Sequence, residues 1–302
     1  MKEKKKRKTR VYEIDLLRSL PLFLVLLYHF AFDISMLPVI LSNYTDVIVR
    51  YPALDDFVSF CYNIVNNDII LGFIAPLVGS CFLFIAGIST SFSRNNIRRG
   101  LLLTLGSLLV SSFTWLCVIL MKHFFKEDID LFITFGIIHL IAFSLLSYAI
   151  LDWIIKKIFR HDIPSIVMMA VGIAVFFIGI MLRRGIQYRG DEIIWPYFYV
   201  NGDPITQIRE YGWTVLFESA IGRLGNTIDW WPIFPFAGVL YLGIAFGKAL
   251  YPEPRSLFPK GNLKIFRPLC FIGRHTIWFY LLQQPVLILV LAIILYSMGF
   301  RI

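Results

Sequence analysis

The chain has 302 residues, of which 58% are hydrophobic and only 16% are charged, and its net charge at pH 7 is +9. A soluble domain has about 25% charged residues, so this composition excludes an ordinary soluble enzyme and a disordered chain. The four cysteines form no CxxC pair, which argues against a disulfide-stapled secreted module and against a metal site. We therefore expect no metal and no nucleic-acid partner, and we expect the lipid bilayer as the environment.

Seven apolar stretches are each long enough to cross a bilayer as a helix, which takes about 20 residues. None of them alternates with the period of two that marks the strands of a membrane barrel. The sequence therefore predicts an all-α fold, a polytopic transmembrane helical bundle of about seven spans. The predicted spans are 16–40, 69–92, 101–121, 131–155, 163–182, 230–250 and 272–297.

The distribution of Lys and Arg predicts the orientation of these spans, because cytoplasmic loops carry an excess of basic residues. With the N-terminus in the cytoplasm, 20 of the 29 basic residues lie on the inner side. Residues 1–12 are then a basic cytoplasmic tail that lies near anionic lipid. The run after this tail is too long for a signal peptide, so we expect a retained first span and a multi-pass protein of the cell (plasma) membrane.

After the tail, we predict a single transmembrane domain over residues 13–299. Its largest loop region, near 183–229, is predicted on the outer side, with an interfacial or re-entrant helix near 211–222. Residues 47–66 are half apolar and are a second candidate for the membrane interface. An additional span in either place would move the C-terminus to the other side of the membrane.

The first span holds the most informative polar residues, because ionisable side chains are costly inside a membrane and indicate function. Arg18 and His29 are eleven residues apart, which on a helix is three turns plus about 20°, so they share one face about 16 Å apart. Asp15 is placed to pair with Arg18. Asp33 lies one turn beyond His29 and is placed to orient the imidazole. The alternatives are a plain interfacial anchor for Arg18 and a structural hydrogen bond for His29.

Other ionisable residues lie near the ends of later spans. Arg94 and Arg274 are predicted at cytoplasmic helix ends, where each is either an anion ligand or a positive-inside anchor. His139, in the fourth span, is either a second catalytic residue or a histidine that hydrogen-bonds between helices. Asp229 precedes the sixth span and is expected to cap it.

An aromatic pair, Trp230 and Trp231, opens the sixth span. The pair is predicted either as part of an aromatic belt at the membrane interface or as a platform on which a sugar stacks. Within the same span, Gly243 and Gly247 are a signal for close helix packing, as is the small-residue run 87–91 in the second span.

The spacing of Arg18 and His29 resembles the signature of the acyltransferase-3 family. Further stretches of the chain resemble, in order, the conserved blocks of the related heparan-alpha-glucosaminide N-acetyltransferase-like family, which has many bacterial members. These stretches are 13–33, 82–94, 135–146, 230–251 and 272–288. One departure is the pair Gln283 and Gln284, where bacterial members usually have a histidine before the proline. Glutamine forms hydrogen bonds but does not shuttle a proton.

The resemblance implies transfer of an acetyl group from cytoplasmic acetyl-CoA to a sugar or another polar acceptor on the far side of the membrane. Under this interpretation His29, Asp33 and His139 are catalytic, and His29 acts as general base or carries the acetyl group itself. The CoA phosphates would bind Arg18, Arg94 and Arg274. The acceptor would contact Asp229, Trp230, Trp231, Gln283 and Gln284.

Two other functions stay open at the level of the sequence. A proton-coupled transporter or exporter of a polar solute would use the same buried histidine and aspartate as a proton relay. A non-catalytic membrane scaffold is the other, because Gln283 and Gln284 replace a family histidine. A homodimer is one oligomeric state that the sequence leaves open.

Overall fold

The computed structural model describes residues 11–41, 43–93, 95–124, 132–184, 214–221, 229–253, 255–258 and 263–300. Within these residues the regular structure is helical and contains no strand, which confirms the predicted fold class. A π-helical turn over Ile70–Ile74 leads into the fifth helix. The helices, in chain order, are α1 (Tyr12–Ser35), α2 (Leu37–Ile40), α3 (Tyr44–Ile48), α4 (Pro52–Val65), α5 (Ala75–Thr90), α6 (Asn96–Phe124), α7 (Ile137–Phe159), α8 (Ser165–Arg184), α9 (Thr214–Ile221), α10 (Ile233–Leu250), α11 (Leu263–Arg274) and α12 (Thr276–Ser297).

Seven helical segments are long and apolar enough to cross a membrane, which confirms the predicted number of spans. The first of them ends at Ser35 and not at residue 40. Pro38 cannot continue a helix from the preceding turn, and it instead occupies the first turn of the short helix α2. The seven segments are Tyr12–Ser35, Ile70–Thr90, Asn96–Leu120, Ile137–Phe159, Ser165–Leu182, Ile233–Leu250 and Thr276–Ser297.

The stretch between the sixth and seventh predicted spans, for which the sequence predicted no helix, contains helix α11. This helix is amphipathic, with Cys270 and Gly273 buried while Arg267 and Arg274 are exposed. Polar residues and the internal Pro268 interrupt its apolar residues. A search for long apolar runs therefore does not detect it, because its apolar residues form a stripe along one face.

Two shorter predictions concern segments between the spans. Helix α9 falls inside the predicted range 211–222, and its interfacial or re-entrant position stays a prediction. Within 47–66, helix α4 buries Val58, Cys61 and Val65 on one face, and it is too short to count among the membrane-spanning helices.

The described residues divide into two compact units. The first unit lies within 79–257, and the second joins residues 12–78 to residues 258–300. The predicted single domain over 13–299 stays a prediction, and residues 1–10 of the predicted tail lie outside the described residues.

In the first unit, small residues bring helices α5 and α10 together. A Cβ atom on Gly87 would collide with the Leu240 carbonyl oxygen, and one on Gly243 would collide with the Phe84 carbonyl oxygen. A Cβ on Gly247 would lie 2.6 Å from Ser91 Oγ. These contacts confirm the predicted packing signal, since only glycine lets the two backbones approach this closely.

An ion-pair network joins α7 to α10 near the C-terminal end of α7. Asp152 is buried and accepts from Lys156 Nζ at 2.6 Å, while Lys248 Nζ of α10 lies 3.6 Å from the same carboxylate. Lys156 also lies 2.9 Å from Asp162, and Lys248 donates to the Ile163 carbonyl oxygen at 2.7 Å. The network fixes the turn between α7 and α8 against α10.

In the second unit, α1 packs against α4, α11 and α12. Its apolar core lies near the C-terminal end of α1 and is completed by Leu295 of α12 and by Phe300, which follows that helix. The buried members of this core are Ala31, Ile34, Leu37, Leu41, Val58, Cys61, Val65, Leu295 and Phe300. This packing holds one face of α1 against α12, which positions the polar residues described next.

Candidate functional site

A polar cluster forms where α1 meets α12 in the second unit. His29 Nδ1 lies 2.8 Å from Gln283 Nε2, and Asp33 Oδ1 accepts a hydrogen bond from Gln284 Nε2. His29 and Asp33 are one turn apart on α1 and therefore lie on the same face, whereas the glutamines are adjacent on α12. We call these four residues the α1–α12 polar cluster.

Three oxygen atoms of the cluster are buried and have no hydrogen-bond partner within the described structure: Asp33 Oδ2, Gln283 Oε1 and Gln284 Oε1. An unsatisfied buried polar atom costs about 1–3 kcal/mol, and buried polar groups are normally paired with protein or with ordered water. All three atoms are hydrogen-bond acceptors. The cluster is therefore suited to a group that donates N–H or O–H bonds.

Gln283 determines which nitrogen of His29 is free to react. When the Gln283 amide nitrogen donates to Nδ1, the neutral imidazole carries its proton on Nε2. When the amide is turned over, its oxygen accepts from Nδ1–H and the lone pair of Nε2 becomes available as a base. Glutamine thus pairs with either tautomer of the imidazole, although it does not itself take up or release a proton.

Asp33 was predicted to pair directly with His29, and the structure pairs each with its own glutamine instead. The physical reason is that α12 offers an amide donor opposite each of the two acceptors on α1. Asp33 therefore orients Gln284 directly and reaches the imidazole only through the neighbouring residue of α12.

The basic candidates of the second unit lie together at one end of it. Arg18 Nη1 lies 3.8 Å from Asp15 Oδ1, which confirms the expected pair. A Cβ on Gly273 would collide with the Asp15 carbonyl oxygen, so the last turn of α11 contacts the first turn of α1. Arg274 follows directly and is exposed. Arg18 is separated from His29 by about 16 Å along the α1 axis.

His139, in the first unit, has both ring nitrogens occupied. The Gly136 backbone N–H donates to Nδ1 at 3.2 Å, and Nε2 lies 3.0 Å from Ser111 Oγ, which in turn donates to the Ile133 carbonyl oxygen at 2.7 Å. His139 therefore caps the start of α7 and ties it to α6. This supports the structural alternative for His139, since a proton transfer would require one of these bonds to break.

Asp229 was expected to cap the span that follows it, and this is wrong. Its Oδ2 atom accepts from the backbone N–H of Ile137 at 3.3 Å, so it caps the start of α7. A Cβ on Gly136 would collide with the same carboxylate. The cap of α10 is Pro232, three residues further along the chain, which leaves Asp229 available to the neighbouring helix.

The tryptophan pair lies in the interior of the first unit. Trp230 and Trp231 are only 3% and 7% exposed. The Trp231 ring occupies the space above Gly79 and lies 4.8 Å from the Phe236 ring, measured between centroids. Both residues therefore have a packing role here. Sugar stacking on them stays a prediction that requires an uncovered ring face.

Two remaining expectations concern Arg94 as a ligand of CoA and the presence of a metal site. Arg94 lies outside the described residues. Over the part of the chain that the structure describes, no group of three or more His, Cys, Asp or Glu residues has the geometry to hold a metal ion.

The family model for heparan-alpha-glucosaminide N-acetyltransferase, catalytic, matches residues 53–285. The chain belongs to this family. It is a multi-pass membrane protein of the N-acetyltransferase type, which agrees with the resemblance seen in the sequence. No curated protein and no solved structure matches the chain.

The matched range includes half of the α1–α12 polar cluster. Gln283 and Gln284 lie inside it, whereas His29 and Asp33 precede it. The family match therefore identifies the class of enzyme, and the case for the residues of α1 rests on their contacts with α12.

Sequence reasoning missed several partners that the structure reveals. Ser111, the contact of His139, and the pair Asp152 and Lys248 were not singled out, although each is a polar residue inside an apolar run. A polar residue inside an apolar run is the sequence signal that indicates such a contact, because a polar side chain in a membrane helix needs a partner on another helix. Sequence alone does not say which two of them meet.

Proposed function

We propose that this protein transfers an acetyl group from acetyl-CoA to an amine or hydroxyl of a sugar or another polar acceptor, with His29 as the general base. The observation that carries the proposal is the α1–α12 polar cluster. In it, His29 is paired with Gln283, and the neighbouring Asp33 Oδ2 and Gln284 Oε1 atoms are buried acceptors that lack a donor. An acceptor amine or hydroxyl supplies such donors and also the proton that a base removes. Membership of the N-acetyltransferase family supports this choice over transport.

In the proposed reaction, the nucleophilic nitrogen or oxygen of the acceptor attacks the thioester carbonyl carbon of acetyl-CoA. Its proton passes to Nε2 of His29 while Gln283 Oε1 accepts from Nδ1–H. The carbon–sulfur bond then breaks, and the departing CoA thiolate takes the proton back from the imidazolium. We favour this direct transfer over an acetyl-histidine intermediate, because it requires only that donor and acceptor be held together.

The donor side of the proposal uses the two arginines at the end of the second unit. CoA is a polyanion, and guanidinium groups bind phosphates with two parallel hydrogen bonds. Arg18 and Arg274 flank the contact between Asp15 and Gly273, so they offer two cations for the CoA phosphates. The pantetheine arm would then extend along α1 toward His29.

The proposal also includes the sidedness of the protein. The excess of basic residues supports a cytoplasmic N-terminus and a donor that enters from the cytoplasm. We place the protein in the plasma membrane, with a glycan or another polar acceptor on the outer face.

Purified protein in detergent, given acetyl-CoA and a panel of amino sugars and polyols, tests the activity through release of the CoA thiol. We expect release with at least one acceptor, and a loss of about 10²- to 10⁴-fold for His29→Ala, which is the usual contribution of a general base. His161→Ala is the matched control, because His161 is exposed and lies in the turn between α7 and α8. Equal release by wild type and His29→Ala would remove His29 from the mechanism.

A further inference from the structure

A cavity that shares no residue with the α1–α12 polar cluster lies within the first unit. It has a volume of about 450 Å³ and is bounded by α7, α8, α9 and α10. Ligand sites commonly have volumes of about 300–1,000 Å³, so its size is that of a binding site and not of a packing defect. Apart from two hydroxyl groups, its described lining is aliphatic or aromatic.

The two hydroxyl groups satisfy each other and the backbone. Ser147 Oγ lies 2.7 Å from the Tyr241 hydroxyl, and it also lies 2.8 Å from the Phe143 carbonyl oxygen. Ser147 therefore donates to the backbone and accepts from Tyr241. A buried water needs two to four polar partners, and this cavity offers no open ones among its described residues.

The cavity lies at the depth of the hydrocarbon core. Ser147 is ten residues into α7, which is about 15 Å along the helix axis and about half the thickness of the hydrocarbon layer. Two lining residues are also exposed at the surface of the first unit, since Phe143 is 47% and Phe217 is 64% accessible. The cavity therefore opens onto this surface, which at the depth of Ser147 faces the lipid chains.

We propose that this cavity binds one fatty acyl chain of a bilayer phospholipid. An empty apolar cavity forfeits the dispersion contacts of its lining, water lacks partners there, and the bilayer presents hydrocarbon at its mouth. The volume accommodates on the order of 15 methylene groups, if each occupies about the 30 Å³ of a water molecule. This inference does not depend on the proposed acetyl transfer.

The test uses the full chain in nanodiscs of phosphatidylcholine that contain a trace of phosphatidylcholine with a photoactivatable diazirine in one acyl chain. After irradiation, peptide mass spectrometry locates the label. We expect it on the segments that hold Phe143 and Phe217 in preference to the equally exposed apolar residues of α6. Uniform labelling of all lipid-facing helices would overturn the proposal.

A matched pair of substitutions on α8 tests the cavity itself. Val175 lines it, whereas Val171, one turn earlier, is exposed and does not appear in the lining. Val175→Trp should lower the labelling by about tenfold, because the indole occupies the space of the chain, and Val171→Trp should leave it unchanged. If Val175→Trp fails to fold, Ala220→Trp on α9 fills the same cavity from the other side. Labelling that persists in a folded filling variant would contradict the proposal.

Competition distinguishes the sources of the chain. Raising the fraction of the diazirine phosphatidylcholine in the nanodisc should raise the labelling in proportion, while added oleate or oleoyl-CoA should not lower it. Displacement by oleoyl-CoA alone would overturn the phospholipid as occupant and would identify the chain of an acyl donor instead.

Discussion

The two membrane-embedded histidines of this protein differ in what their neighbours leave unsatisfied. His139 has a backbone N–H on one ring nitrogen and a serine hydroxyl on the other. His29 has one glutamine partner, and the acceptor oxygens around it lack donors. A histidine whose bonds are complete stabilises the fold, whereas one beside incomplete bonds is available to a substrate. This difference separates a structural from a chemical assignment for two residues that look alike in the sequence.

The largest effect is expected when the same substitution, histidine to glutamine, is made at His29 and at His139. His29→Gln should lower CoA release by about 10²- to 10⁴-fold, because the amide cannot accept the proton of the acceptor. His139→Gln should change the rate of the folded protein by less than about threefold, since Gln at this position of a helix can still cap the first turn. A large loss of rate in a stable His139→Gln variant would break the comparison.

The second prediction concerns the binding of the donor. Arg18→Gln and Arg274→Gln should each raise the KM for acetyl-CoA by about tenfold or more, with kcat less affected, because each removes a charge-assisted hydrogen bond to a phosphate. Arg50→Gln is the control, as Arg50 is exposed and predicted on the opposite side of the membrane. An unchanged KM in both variants would place the CoA phosphates elsewhere.

The third prediction concerns Gln283 as a positioning residue. Gln283→Met keeps the side-chain length but loses the bond to His29, so kcat should fall by about tenfold while the KM for acetyl-CoA stays constant. Gln283→Glu should recover most of the rate, because its carboxylate accepts from Nδ1–H and leaves Nε2 as the base. Equal losses in the two variants would indicate that Gln283 only packs.

The fourth prediction concerns stability and not rate. His139→Leu removes the cap of α7 and the contact with Ser111, which should destabilise the protein by about 1 kcal/mol, the usual value of a helix cap. Thermal unfolding in detergent measures this change. His139→Gln should restore most of the lost stability, and a failure to do so would argue against capping as the role of His139.

The smallest expected effect lies in the ion-pair network of the first unit. The hydrogen bond from Lys156 lowers the pKa of the Asp162 carboxyl. A lowered pKa in the folded state means that the contribution to stability is present above the unfolded pKa and is lost as the pH falls through the folded pKa. Asp162 is 68% exposed, so Asp162→Asn should destabilise the protein at pH 7 by less than about 1 kcal/mol. Below the folded pKa, the melting temperatures of variant and wild type should converge.

The sequence by itself determined the class of the protein and its number of spans. Hydrocarbon tolerates few charges and requires about 20 apolar residues per helix, so the seven spans are visible as composition. The same rule made Arg18, His29 and Asp33 visible, because each is an exception to it. The order of five conserved blocks also indicated the family that the match over 53–285 confirmed.

Only the tertiary structure decided which of these exceptions meet. Gln283 and Gln284 looked like a departure from the family, and they are the partners of His29 and Asp33. Asp229 looked like the cap of its own helix, and it caps α7 across 92 residues of sequence. Helix spacing determines the face on which a side chain lies, but the partner depends on which faces pack together. That choice depends on close backbone contacts such as the one between Gly273 of α11 and Asp15 of α1. The local sequence marks small residues as packing sites but does not say which helix each of them meets.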